Sequence, residues 1–173
     1  VKEVLLETSL APSALELELT EGIMMEDVST TIDSLHALKN LGVGLSIDDF
    51  GTGYSSLSYL RRFPVNILKI DRSFVKALDG SKDANAIVKT IIALGRMMHI
   101  DVIAEGVESP EQVASLAEHF RLRPGMKMLD CGCGLGYAMR TWGPYVMPRG
   151  RLTGLDVAPF GPDQSAGLLF AVP

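Results

Sequence analysis

Apolar and polar positions along the chain follow two rhythms, a period of two and a period near 3.6, and the switches between them lay out the elements. Leu15 to Thr20 alternates as a half-buried strand does, and Gly22 follows it. From Asp27 to Leu41 the apolar residues Val28, Ile32, Leu35, Leu38 and Leu41 share one helical stripe, which Gly42 ends. Val43 to Ile47 is a short apolar strand that runs into Asp48, Asp49 and the turn Phe50-Gly51-Thr52-Gly53. Tyr54 to Arg62 reads as a helix stopped by Pro64, and Val65 to Ile70 as a strand ending at Asp71. Ala84 to Met98 has helical spacing with Ile87, Ile91, Leu94 and Met98 on one face, and Met97 and Met98 read as core filler. Asp101 to Ala104 is a strand ending in Glu105-Gly106, and Pro110 opens a helix to about Ala117. Strand and helix alternate at the spacing of parallel βα units, which predicts an α/β fold.

The acids give this pattern its chemistry. Glu18, Asp48, Asp49, Asp71 and Glu105 stand at or beside the C-terminal ends of four predicted strands, the end where parallel α/β folds place their active sites. A single carboxylate there often does no more than cap the following helix. Four strands ending alike point instead to a hard-oxygen site for a divalent cation, which relieves the mutual repulsion of the acids. Lys69, two residues before Asp71 on the same strand face, adds a cation able to hold a water or a developing negative charge. Together these groups suit metal-assisted hydrolysis of a phosphate ester.

Composition divides the chain in two. Residues 1–118 hold 18 acidic and 10 basic residues, whereas residues 119–173 hold 3 acidic and 6 basic residues, with 9 of the 17 glycines and 6 of the 9 prolines. The domain boundary is expected near Glu118. The overall net charge of −5 gives no electrostatic footprint for duplex nucleic acid or an anionic membrane, so an anionic ligand would need local cations. No apolar run approaches the ~18 residues of a membrane span and no signal peptide is evident at Val1, so a cytoplasmic location is expected.

Glu18-Leu19-Thr20-Glu21, Asp48-Asp49-Phe50-Gly51-Thr52-Gly53-Tyr54-Ser55-Ser56-Leu57, Leu68-Lys69-Ile70-Asp71 and Ala104-Glu105-Gly106-Val107-Glu108 closely resemble, in order and spacing, successive motifs of the EAL family of cyclic-di-GMP phosphodiesterases. The resemblance covers roughly residues 1–118. It implies an incomplete (β/α)8 TIM-type barrel of parallel strands that uses two Mg²⁺ or Mn²⁺ ions to hydrolyse cyclic-di-GMP to linear pGpG. Residue by residue, it implies Glu18, Asp48, Asp49 and Glu105 as metal ligands. It further implies Lys69 as the contact to the nucleophilic water and Glu21 as the support of the Gly-rich loop. That loop, Phe50 to Ser56, is implied to be an active-site flap and part of a homodimer contact. The Glu-Ala-Leu segment that names the family supplies a further ligand and would stand upstream of Val1. The closing Gln-Gly-aromatic motif has Ala166 at its Gln position, with Gln164 two residues away. The expectation is weak or absent turnover by these residues alone, with a catalytically inactive cyclic-di-GMP-binding regulatory module as the alternative.

Leu122 to Gly136, with Asp130, Gly132, Gly134 and Gly136, is similar to the first motif of Rossmann-like S-adenosylmethionine-dependent methyltransferases. Asp156 falls 20 residues after Gly136, where a ribose-binding acid sits in such folds. This resemblance spans about residues 121–160 and implies a Rossmann-like βαβ segment. A third functional expectation is therefore an S-adenosylmethionine-binding methyltransferase fragment. Pro144 and Pro148 fall where the intervening helix has to run.

Overall fold

In a computed structural model the described residues are 1–22, 28–53, 57–131, 137–146, 149–155 and 166–170. They form two compact units, Val1–Lys69 and Ile70–Pro173.

The first unit opens with α1 (Lys2–Thr8) and a 3-10 turn at Pro12–Ala14, followed by β1 (Glu16–Thr20), α2 (Val28–Asn40), β2 (Gly44–Phe50) and α3 (Leu57–Leu60). The strand β3 (Ile67–Ile70) has its first three residues in this unit. β1 and β2 run parallel, with Glu18 opposite Ser46 and Thr20 opposite Asp48. β3 lies on the other side of β2. Asn66 fixes that approach twice, donating its N–H to the Leu45 carbonyl at 2.8 Å and accepting the Leu45 N–H on its side chain at 3.2 Å. The core comprises Ile32 and Leu35 of α2, Leu45 and Ile47 of β2, Leu60, Phe63 and Leu68, all buried. β2 continues past the predicted end at Ile47, so Asp48 and Asp49 lie within it.

The second unit holds α4 (Arg72–Lys76), a turn at Ala77–Asp79, α5 (Lys82–Met98), β4 (Asp101–Val107), α6 (Pro110–His119), β5 (Lys127–Cys131), α7 (Tyr137–Val146), β6 (Arg151–Leu155) and β7 (Ala166–Phe170). α6 begins as its sequence dictates: the Ser109 side chain accepts the Gln112 N–H, Gln112 returns a bond to the Ser109 N–H, and Pro110 needs no partner at the first helical position. β5 and β6 are parallel and joined by α7, which is the βαβ arrangement expected here. α7 runs through Pro144, anchored by Trp142, whose fully buried indole donates to the Val113 carbonyl at 3.0 Å.

The alternating helices and parallel strands are those of an α/β fold and of a partial barrel. β7 departs from the pattern. It inserts between β4 and β5 and runs antiparallel to both. Ten residues separate Leu155 from Ala166, fewer than a crossover to a parallel strand requires.

α5 turns its face differently from the one its large residues mark out. Ala84, Val88, Ile91, Ile92 and Gly95 are buried, while Ile87, Leu94 and Met98 flank them half-buried and Met97 is 77% exposed rather than core filler. The small residues permit close approach to β4, where a Cβ on Gly95 would collide with the Val102 side chain and come within 2.9 Å of the Ile100 carbonyl. His119, at the end of α6, meets the Asn85 carboxamide oxygen of α5 at 3.0 Å. The Asn85 amino group already donates to the Leu78 and Ser81 carbonyls, so its oxygen faces the ring and His119 Nε2 is the donor. Burial holds the imidazole below its ordinary value, with Lys89 acting in the same direction and Glu118 against it.

Two outcomes follow from this packing. Gly95→Ala is expected to destabilise the chain by about 1–2 kcal/mol in urea unfolding, because overpacking outweighs the helix-propensity gain of alanine. The lowered His119 value makes the folded form the poorer proton acceptor, so its contribution to stability is complete above about pH 6.5 and is lost as pH falls through the folded-state value. Unfolding midpoints measured from about pH 7.5 to about pH 5 are expected to decline less steeply in His119→Gln than in the parent chain.

Candidate functional site

Strand alternation in the first unit places Glu18 on β1 and Ser46 and Asp48 on β2 on a common face, in parallel register. Lys69 on β3 completes the arrangement. Its ammonium lies 2.8 Å from Glu18 Oε1 and 3.2 Å from Asp48 Oδ1, and the residue is only 8% exposed. Three strands thus bring two carboxylates to one cation. The side chain of Glu18 is half-exposed and that of Asp48 less so, so the cluster grades from buried ammonium to solvent. Ser46, absent from the sequence reading, lies on the floor of this face. It is fully buried, and among the described residues its hydroxyl has no hydrogen-bond partner. Its position two residues before Asp48 was the only signal available.

Asp49 leaves the strand geometry in a left-handed conformation, φ 52°, uncommon for a residue with a Cβ. Its N–H donates to Asp48 Oδ1 at 3.0 Å, and its carbonyl accepts the Thr52 hydroxyl at 2.9 Å. The chain then turns through Gly51 and Gly53. Both of their N–H groups donate to Glu21 Oε2 at 3.1 Å, and Glu21 is buried. A Cβ on Gly53 would lie 3.0 Å from the Glu21 carboxyl carbon, so a larger residue there would have to displace the carboxylate that holds the turn. Tyr54 to Ser56, the rest of the loop, lie outside the described residues.

In the second unit Glu105 lies within β4, half-buried, opposite Gly167 of β7, and the ladder shifts register between Glu105 and Val107. Gly106 takes φ +68° there, and a Cβ on it would lie 3.0 Å from Cβ of Arg72. Asp71 is the N-cap of α4, accepting the Ser73 N–H at 3.0 Å and the Ser73 hydroxyl. The capping alternative weighed against a site carboxylate is thus the role seen for Asp71. Asp130 of β5 is buried, between Gly154 of β6 and Leu168 of β7 in the ladders. Gly132, Gly134, Gly136 and Asp156 lie outside the described residues.

Among the described residues no group of three or more His, Cys, Asp or Glu side chains is assembled to hold a metal ion. Glu18 and Asp48 nonetheless converge on one cation position with hard oxygen donors, and as a pair they fit two positions in the coordination shell of Mg²⁺ or Mn²⁺. Among the described residues, no helix is long and apolar enough to cross a membrane.

Comparison with known proteins identifies the family. Residues 1–119 match the family described as EAL domain. Residues 83–160 match protein-L-isoaspartate(D-aspartate) O-methyltransferase, overlapping the first match. The cyclic di-GMP phosphodiesterase NbdA of Pseudomonas aeruginosa is 50% identical over 119 residues, 69% of this chain and 15% of NbdA. The bifunctional diguanylate cyclase/cyclic di-GMP phosphodiesterase MucR of the same organism is 51% identical over 112 residues, 65% of this chain and 16% of MucR. Among solved structures, the PaMucR phosphodiesterase in its c-di-GMP complex matches with TM-score 0.66 and 49% identity, covering 69% of this chain and 48% of that one. A manganese/cy-diGMP complex of Klebsiella pneumoniae BlrP1 matches with TM-score 0.62 and 35% identity, covering 68% of this chain and 30% of that one. The chain spans about 15% of the length of these curated relatives. With the match running from residue 1 to residue 119 and including Glu18, Glu21, Asp48, Asp49, Lys69 and Glu105, the chain belongs to the EAL domain family.

Proposed function

We propose that this chain carries a divalent-metal-dependent phosphodiesterase site that opens cyclic-di-GMP to linear pGpG. The observation that carries the reading is the buried Lys69 ammonium held by Glu18 at 2.8 Å and Asp48 at 3.2 Å. In this proposal Glu18, Asp48, Asp49 and Glu105 hold Mg²⁺ or Mn²⁺. Such ions, when bound, polarise a phosphoryl oxygen and lower the pKa of a bound water. Lys69 supplies directed N–H groups to a water or to charge developing on phosphate, from a position that its two carboxylate neighbours fix. Glu21 gives the Gly51–Gly53 turn one course by accepting both N–H groups, and the loop Phe50 to Ser56 is proposed to serve also as a homodimer contact.

Turnover by these 173 residues alone is proposed to be weak, because they contain no Glu-Ala-Leu tripeptide and so lack the ligand that the resemblance assigns to it. A second reading, a catalytically inactive module that still binds cyclic-di-GMP, is favoured by Lys69 meeting Glu18 and Asp48 where a further carboxylate would complete a metal shell. The match over residues 83–160 and the parallel β5–α7–β6 unit support a third. In it, residues 119–173 form a separate methyltransferase-like segment that binds S-adenosylmethionine through Asp130, Gly132, Gly134, Gly136 and Asp156.

Release of pGpG, followed by chromatography, is expected to require Mg²⁺ or Mn²⁺, to stop on chelation with EDTA, and to fall at least about 100-fold in Lys69→Met. Undiminished turnover in that variant would remove Lys69 from the reacting site, and turnover that persists in EDTA would remove the metal-dependent phosphodiesterase reading. Titration calorimetry with cyclic-di-GMP and with S-adenosylmethionine, each with and without Mg²⁺, is expected to give metal-dependent heat for the dinucleotide only. Dinucleotide heat without turnover in any metal selects the binding module, and heat from S-adenosylmethionine selects the methyltransferase fragment.

A further inference from the structure

The second unit carries a band of cations away from the groups discussed above. Arg96, near the end of α5, donates its guanidinium to the Phe120 carbonyl just beyond α6. Arg121 follows directly, in a left-handed conformation with φ 46°, and Arg123 comes two residues later. Burial first, and after it the nearby Arg121 and Arg123 guanidinium groups, hold the Arg96 value below its ordinary one. From there the backbone ties in the rest. The Met126 N–H donates to the Arg123 carbonyl, and the Arg151 N–H donates to the Met126 carbonyl at 3.0 Å. Lys127 and Arg151 are direct partners in the parallel β5–β6 ladder. Arg149 precedes Gly150, whose N–H meets the Val146 carbonyl at 2.9 Å. Arg121, Arg123, Lys127, Arg149 and Arg151 are all exposed, and among the described residues none of them has an acidic partner within ion-pair distance. The band lies at the N-terminal edge of β5 and β6, the opposite strand end from the one that leads into Gly132–Gly136.

The backbone also ties an exposed aromatic residue to this edge. The Val146 carbonyl that receives Gly150 also receives Gly125, in the turn between Arg123 and Lys127, at 3.0 Å. Tyr145, the neighbour of Val146, is 52% exposed. Exposed arginines on a backbone-linked edge, with an exposed tyrosine on a segment bonded to that edge, match the chemistry of single-stranded nucleic acid, whose phosphates take cations and whose unpaired bases stack on aromatic faces. A duplex hides its base faces, so an exposed ring beside cations favours an unpaired strand. We propose that this edge binds single-stranded oligonucleotide, with phosphates on Arg121, Arg123, Lys127 and Arg151 and one base stacked on Tyr145. This activity is independent of cyclic-di-GMP hydrolysis and needs no metal ion.

The test is fluorescence anisotropy of a fluorescein-labelled ten-nucleotide RNA of mixed sequence with the 173-residue chain, in EDTA. Binding is expected at about 50 mM NaCl and is expected to weaken about 100-fold by about 300 mM, the dependence given by roughly four neutralised phosphates on a single strand. Arg123→Glu and Arg151→Glu are each expected to weaken it at least about tenfold, and Tyr145→Ala about tenfold with an unchanged salt slope. Lys127→Gln serves as a milder charge variant if a reversal unfolds the chain, as read by circular dichroism. Absence of binding at low salt, equal affinity for the matching duplex, or an unaltered affinity in Tyr145→Ala would each overturn the proposal. So would sedimentation showing that salt-sensitive self-association occupies the edge and excludes the RNA.

Discussion

Two carboxylates on neighbouring parallel strands repel one another unless a cation lies between them, and in this chain the cation is Lys69. Its ammonium reaches Glu18 on β1 and Asp48 on β2 while its stem is buried on β3. That pairing fixes more than charge. A slip of one residue in β1 would turn Glu18 to the other face and leave a buried ammonium short of one partner. The parallel register, with Glu18 opposite Ser46 and Thr20 opposite Asp48, is therefore the one in which core burial and charge pairing agree. Leu45 and Ile47 point into the core from β2 while Ser46 and Asp48 take the polar face.

The Gly-rich turn depends on the same economy of acceptors. One oxygen of Glu21 satisfies the N–H groups of both Gly51 and Gly53, and charge-assisted bonds of this kind are stronger than neutral ones. Glycine at position 53 serves approach distance rather than flexibility, since a Cβ would press on the carboxylate itself. The left-handed Asp49 sets the start of the turn and ties its own N–H back to Asp48. Loop course and carboxylate position are thus linked through two consecutive residues.

Much of this was legible in the sequence because local signals and tertiary demands coincided. The period of two over Leu15–Thr20 marked β1, and Ser109, Pro110 and Gln112 marked the start of α6. The Asp-Asp-Phe-Gly-Thr-Gly run carried both its turn and its chemistry. Failures arose where tertiary context decided. α1 and α4 are too short to show a periodic stripe. Asp71 ends its strand as the other acids do, yet Ser73, two residues on, makes it a cap. The largest side chains of α5 mark out one face, whereas the close approach of β4 selects Gly95. Pro144 was read as an obstacle, but near the end of α7 it removes one bond from a helix that Trp142 holds in place. The direction of β7 depends on what flanks it in space, and no local pattern encodes that.

The position of β7 sets an order of events during synthesis. β4 and β5 are not neighbours in the sheet. Each pairs with β7, which is made after both, so the middle of this unit stays open until Ala166–Phe170 have been added. Those pairings join residues 59 to 68 positions apart on one side and 36 to 42 on the other, a high sequence separation of the kind that slows folding. For a polypeptide leaving the ribosome, helices α5 and α6 can form early, but the sheet of this unit waits for the final strand to be released.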